Sequence, residues 1–171
     1  MEKTTEVLPV ISVSVYVASR ASLAERPAMW KALRKGGAAI VSTWIDEAGT
    51  GDTTDFTELW SRIESEIRMA DRLVLYVEPG DFPLKGALVE VGMALARGKQ
   101  VMVVAPGVVI DPRDFKPLGS WVGHPNVSLC DSLALAFGPA APEAQLFFRE
   151  KPAMASEVLG PEWFPSSTQH G

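Results

Sequence analysis

The sequence predicts an α/β fold, a doubly wound parallel sheet of five strands with helices on both faces. Two observations carry this expectation. Short apolar runs recur at Val10–Ala18, Ala38–Ser42, Leu73–Val77, Val101–Ala105 and Val127–Leu129. Segments with helical spacing separate them, and strands that alternate with helices imply parallel pairing through crossover connections. The length of 171 residues fits one domain with a sizeable core.

The elements follow in order. Val10–Ala18 alternates and is β-branched, the pattern of a strand. Ser22 is placed to cap the first helix, with Glu25 three residues on as a capping-box partner and Pro27 tolerated in the first turn. That helix runs to about Lys35, where Gly36-Gly37 ends it. Ala38–Ser42 is a short second strand, and Thr43–Asp55 is a polar loop. A second helix reaches about Ala70, with Leu59, Ile63, Ile67 and Ala70 along one face. Leu73–Val77 is the third strand, Lys85–Arg97 the third helix and Val101–Ala105 the fourth strand. A long loop, Pro106–Pro125, contains Trp121 and His124; a fifth strand at Val127–Leu129 and a short helix at Ser132–Phe137 follow. Right-handed crossovers give a flavodoxin-like strand order of 2-1-3-4-5.

The α/β domain spans residues 1–140. Residues 141–171 form a Pro-rich extension with apolar islands at Leu146-Phe147-Phe148 and Trp163-Phe164. This extension is expected to pack on its own or a neighbouring subunit. Its aromatic load, with Trp121, predicts a homodimer or larger homo-oligomer.

Composition narrows the function. Sixteen basic and 21 acidic residues give a net charge of −5, which argues against a nucleic-acid polymer as partner. A small anion held by local cations stays compatible with it. The single cysteine, Cys130, excludes an intrachain disulfide and fits a cytoplasmic protein. No apolar run approaches the roughly 20 residues that span a bilayer, so no membrane partner is expected. Two histidines and one cysteine offer no zinc-ligand spacing, and no metal or other cofactor is expected. Phosphate-loop, dinucleotide-binding and nucleophile-elbow motifs are all missing.

The most informative stretch is Asp81–Gln100, a loop and helix between the third and fourth strands. Glu90 is the only acidic residue of that helix, among the small or apolar Gly86, Ala87 and Ala94. A carboxylate on an apolar helix face is unfavourable unless something uses it. In a doubly wound sheet the ligand crevice opens at the carboxyl ends of the strands where the winding reverses. Here its walls are Ala18–Ala21 and Glu78–Lys85, and Glu90 lies on the helix rising from the second wall. There it can act as base or nucleophile, favoured as an anion by the helix N-terminus, with Gly86 one turn earlier leaving room for a ligand. Ser19 and Arg20 after the first strand can hold a phosphate, with Lys85 across the crevice. Tyr16 ends the first strand, and Trp44 after the second can stack on a base. Asp71 opens the third strand at the opposite end of the sheet and reads as structural. His124, in the long loop, reads as a surface or packing residue.

Gly86-Ala87-Leu88-Val89-Glu90-Val91-Gly92-Met93-Ala94, then Gly98-Lys99 and a valine-rich strand, resembles the nucleoside 2-deoxyribosyltransferase family. Val15-Tyr16-Val17-Ala18-Ser19-Arg20 looks like that family's first strand and loop, and Glu66–Asp71 is similar to its middle segment. The likeness covers roughly Val10 to Ala105. It implies that Glu90 attacks the anomeric carbon of a small nucleoside or nucleotide, releases the base and forms a covalent glycosyl-enzyme. A second base or water then takes the sugar with net retention. Tyr16 is implied to orient Glu90. Ser19 and Arg20 match the nucleotide-hydrolysing branch, whose first loop holds a 5′-phosphate.

Two departures stand out. Where the family often has Asp or Ser six residues before the glutamate, this chain has Leu84; where it tends to place an acid eight residues before the aspartate, it has Ile63. Glu64 beside Ile63, and Asp46 after the second strand, are the candidates for protonating the leaving base. Two other readings compete. One is an NAD glycohydrolase of the TIR type, which also uses a glutamate on a flavodoxin-like fold. The other is a nucleotide-binding sensor or scaffold without catalysis, which the apolar Ile63 favours.

Overall fold

The computed structural model describes residues 12–47, 55–138 and 158–159. They form an α/β sandwich on a four-stranded parallel sheet of β1 (Val15–Ala18), β2 (Arg72–Tyr76), β3 (Gln100–Val104) and β4 (Val127–Cys130), in spatial order β1-β2-β3-β4. Tyr16 stands opposite Leu73, Leu73 opposite Val101, and Val101 opposite Val127. β1 is buried along its whole length and β2 at all but its first residue, as expected for strands covered on both faces. β4, at the sheet edge, is half open.

Among the described residues the expected five strands reduce to four. At the place of the second, Ala38–Ser42, the chain makes one isolated parallel bridge, Ile40 to Val15. The Ser42 side chain explains part of this: its Oγ takes the Val17 N–H at 3.0 Å, so a side chain replaces a ladder partner.

The helices are α1 (Glu25–Lys35), α2 (Trp44–Glu47), α3 (Phe56–Met69), α4 (Gly86–Ala96) and α5 (Leu133–Phe137). Successive side chains in a strand face opposite ways, so Tyr16, Leu73 and Leu75 share one sheet face and Tyr76 takes the other. Tyr16 reaches α4, which α3 flanks. Tyr76 meets the edge of Trp30 of α1, which also packs on Phe137 of α5. Helices therefore cover both faces.

Two helix starts differ from expectation. α1 begins at Glu25 with Ala24 as an N-cap that offers no side-chain bond. Ser22 does not cap it, because its hydroxyl accepts from Arg20 Nε at 3.1 Å. The stretch expected as a loop after Ser42 contains α2, whose Trp44 and Ile45 are buried; residues 48–54 of that stretch lie outside the described residues. Elsewhere the local signals act as expected. Asp55 caps α3 by accepting from Glu58 N, and Ser132 caps α5 by accepting from Leu135 N. Asp71 and Ser14 exchange two bonds, of 2.9 and 3.0 Å, that tie the starts of β1 and β2 together far from the crevice.

The aromatic islands at Leu146–Phe148 and Trp163-Phe164 lie outside the described residues. Of the extension, Val158 is buried within the same hydrophobic cluster as the sheet core. Among the described residues no helix is long and apolar enough to cross a membrane.

Candidate active site

A pocket of about 380 Å³ opens at the carboxyl ends of β1 and β2. That lies at the small end of the range for small-molecule sites. Ser19–Ser22 form one lip and Asp81–Ala87 the other. Trp44 of α2 and Leu59, Trp60 and Ile63 of α3 close one side, and Leu75, Tyr76 and Glu90 also line it.

Glu90 is the fifth residue of α4 and only 8% exposed. The Tyr16 hydroxyl donates to its Oε1 at 2.5 Å. This contact joins the first strand to the helix after the second across 74 residues of chain. Burial pushes the Glu90 carboxyl up to about 7, against the Tyr16 hydrogen bond that lowers it; the charge of Glu66 raises it further. The expected help from the helix N-terminus is outweighed, because Glu90 stands in the second turn, where the dipole's influence fades. Burial, then the neighbouring Glu90 charge, hold the Tyr16 phenol far above its ordinary value, so it stays a donor.

The lips are preorganised by polar contacts. Ser19 Oγ accepts from Trp30 Nε1 at 2.8 Å. Arg20 donates from Nη1 to the Gly80 carbonyl at 2.9 Å, which joins one lip to the turn that feeds the other. Lys85 stands exposed at the rim with φ +47 and makes no ion pair among the described residues. Trp44 lines the pocket and is fixed by its Nε1 donating to the Val17 carbonyl at 2.8 Å. Gly86 also lines the pocket, beside Trp60. A Cβ added there would meet the Trp60 ring at 3.7 Å, ordinary van der Waals contact.

Glu64 and Asp46 are not brought to the pocket. Glu64 is turned outward and pairs with Arg97 at 2.7 Å, and Asp46 pairs with Arg34 at 2.7 Å. One residue along an α-helix is a rotation of about 100°, so when Ile63 faces the pocket Glu64 cannot. Ile63 and Leu84, the two apolar departures from the family pattern, both line the wall. His124 accepts from Asn126 N through Nδ1 at 3.0 Å, within the exposed loop.

Sequence reasoning missed Arg26, and it placed Glu78 and Asp81 only as positions on the crevice wall. Arg26 of α1, 2% exposed, holds Asp81 through two bonds, of 2.6 and 3.1 Å, and Glu78 through a third of 2.6 Å. Its guanidinium lies 5.0 Å above the Tyr76 ring centroid. Asp81 Oδ2 also accepts from Glu78 N, closing the turn Pro79–Asp81 on itself. The Pro-Gly-Asp of that turn was a visible signal. The partner in α1 was not, because 55 residues separate Arg26 from Asp81. Trp60 was also missed. Among the described residues no three His, Cys, Asp or Glu side chains are grouped so as to hold a metal ion.

No family model matches the chain, and no curated protein does. The chain is similar to the solved structure of a 2-deoxyribosyltransferase from the psychrotolerant bacterium Bacillus psychrosaccharolyticus. Identity is 21% and the TM-score 0.44, over 57% of this chain and 77% of that one. It is also similar to the CMP N-glycosidase BcmB of Clostridium botulinum, with 16% identity and a TM-score of 0.44 over 68% of this chain and 86% of that one.

Proposed function

We propose that this protein cleaves or transfers the N-glycosidic bond of a nucleoside or its 5′-monophosphate, with Glu90 as the attacking group. One observation carries the reading. A buried carboxylate faces a pocket of small-molecule size, oriented by the Tyr16 hydroxyl. In the proposed reaction a Glu90 oxygen bonds to the anomeric carbon as the carbon–nitrogen bond breaks, and the base leaves. Water or a second base then displaces the sugar from Glu90, and two inversions give retention. Tyr16 acts as a positioning residue that fixes one carboxylate oxygen and leaves the other to react. Ser19, Arg20 and Lys85 surround the place of a 5′-phosphate, and Trp44 and Trp60 offer ring faces to the base.

The test is chromatography of nucleosides and 5′-monophosphates after incubation with the protein, with and without an acceptor base. Glu90→Gln is expected to lower base release by roughly 10³-fold or more, as loss of a nucleophile does, with circular dichroism unchanged. Equal release by a folded variant removes Glu90 from the mechanism. A second reading, a nucleotide-binding module without catalysis, is favoured by the apolar Ile63 and Leu84 on the wall. Nucleotide binding by calorimetry with no base release from the unmodified protein selects it.

A further inference from the structure

We infer that the site takes N-glycosides whose leaving group already bears a positive charge, a flat pyridinium or N-alkylated purine ring, in preference to neutral bases. This rests on the reading of Glu90 as the attacking group.

A neutral base departs as an anion unless an acid protonates it. Among the described residues, the carboxyl groups lining the pocket are Glu90 and Asp81. Asp81 accepts three hydrogen bonds, two from Arg26 and one from Glu78 N, which hold both its oxygens as acceptors. Glu90 is the attacking group and accepts from Tyr16. Of the other described lining residues, Leu59, Trp60, Ile63, Phe82 and Leu84 cannot give a proton to a ring nitrogen, and Lys85 stands exposed at the rim, where the proposed 5′-phosphate takes its ammonium.

The same wall suits a cation. Aromatic faces attract a flat positive ring, most strongly where water is excluded. Glu90 is a nearly buried carboxylate whose one hydrogen-bond partner among the described residues is a neutral hydroxyl. A buried anion without a counter-ion is costly. A cationic ring supplies that counter-ion in the bound state. As the glycosidic bond breaks, its electron pair moves onto the ring nitrogen and neutralises it. The positive charge passes to the anomeric carbon beside Glu90, so the attraction strengthens toward the transition state. The products balance without an acid: a cationic glycoside and water give the free sugar, a neutral base and one proton released to solvent.

The experiment compares kcat/KM for guanosine 5′-monophosphate and 7-methylguanosine 5′-monophosphate, which share a sugar, a phosphate and a ring. Nicotinamide mononucleotide is a second cationic probe. The cationic substrates are expected to react at least 100-fold faster, with Glu90→Gln abolishing the reaction. Glu90→Gln is also expected to weaken binding of nicotinamide mononucleotide about tenfold, the size of a lost charge-assisted contact, and that of guanosine 5′-monophosphate by less. Equal or faster Glu90-dependent cleavage of the neutral nucleotide overturns this inference and leaves the N-glycosidase reading standing. No cleavage of any substrate overturns both. Asp52 lies in the segment outside the described residues. If Asp52→Asn removes activity on the neutral substrate alone, the chain does supply an acid, and the inference falls.

Discussion

Asp81 and Glu90 are nine residues apart, both line the same pocket and both are nearly buried, at 5% and 8% exposure. Their surroundings differ in kind. Asp81 is clasped by a buried guanidinium through two hydrogen bonds and closes a turn. Glu90 has a phenol for a partner, and its carboxyl is pushed up to about 7. The first arrangement satisfies a charge and fixes backbone; the second holds a charge under tension. The contrast teaches that burial alone does not mark a reactive carboxylate. Among the described residues Glu90 has no cation beside it, and an unpaired anion gains most when positive charge develops nearby.

The comparison breaks first at Arg26. Arg26→Ala leaves Asp81 and Glu78 without their cation, and loss of one partner of a buried pair typically costs about 3–5 kcal/mol. For a chain of this size that is a fall in Tm of roughly 10 °C, read by thermal denaturation. A double replacement, Arg26→Met with Asp81→Leu, is expected to recover much of the loss. If the single variant melts with the parent, the cluster is not structural.

Glu90 predicts the opposite sign. Its carboxyl lies at about 7 in the folded chain, above the ordinary value of 4.5, so the native state holds a proton that the unfolded chain releases. This contribution to stability is fully present below about pH 4.5 and is lost as pH rises through about 7. Glu90→Gln has no such loss and is expected to be more stable than the parent at pH 8, by on the order of 3 kcal/mol. The difference should shrink toward pH 5. For the same reason kcat/KM is expected to rise with pH through about 7 as the carboxylate forms. A variant less stable than the parent at pH 8 contradicts the assignment of Glu90 as the strained group.

The smallest effect sharpens the contrast at the rim. Arg20→Ala removes one charge-assisted donor to a 5′-phosphate, and such contacts contribute about 1.5–3 kcal/mol. The preference for a 5′-monophosphate over its nucleoside, read as a ratio of kcat/KM, is expected to fall roughly 10- to 100-fold. A parent that favours the free nucleoside assigns Arg20 to its bond with Gly80 instead.

Much of this was legible in the sequence. The four strands appear as apolar runs, and Glu90 stands out as one acid in an apolar helix. The pairing of Tyr16 with Glu90 was implied by the family resemblance alone. What failed has local causes. Ala38–Ser42 has strand-like residues, yet a side-chain oxygen at Ser42 takes a backbone donor and pairing stops at one bridge. Glu64 was misplaced by one helical position, a distinction that the apolar face through Leu59, Ile63 and Ile67 already contained. Arg26 was invisible because a buried arginine inside a helix reads as surface until its carboxylate partners, more than 50 residues away, are known.

Lys85 carries a consequence for engineering the pocket. Its backbone sits at φ +47, a conformation natural to glycine and strained for a side chain, at the junction where the second lip turns into α4. Lys85→Gly therefore relaxes the backbone while deleting the ammonium, and Lys85→Ala deletes the ammonium and keeps the strain. The difference between the two variants isolates the conformational component, and what they share isolates the electrostatic one. A single position thus offers an internal calibration of how rigidly the entrance must be held for a ligand to be admitted.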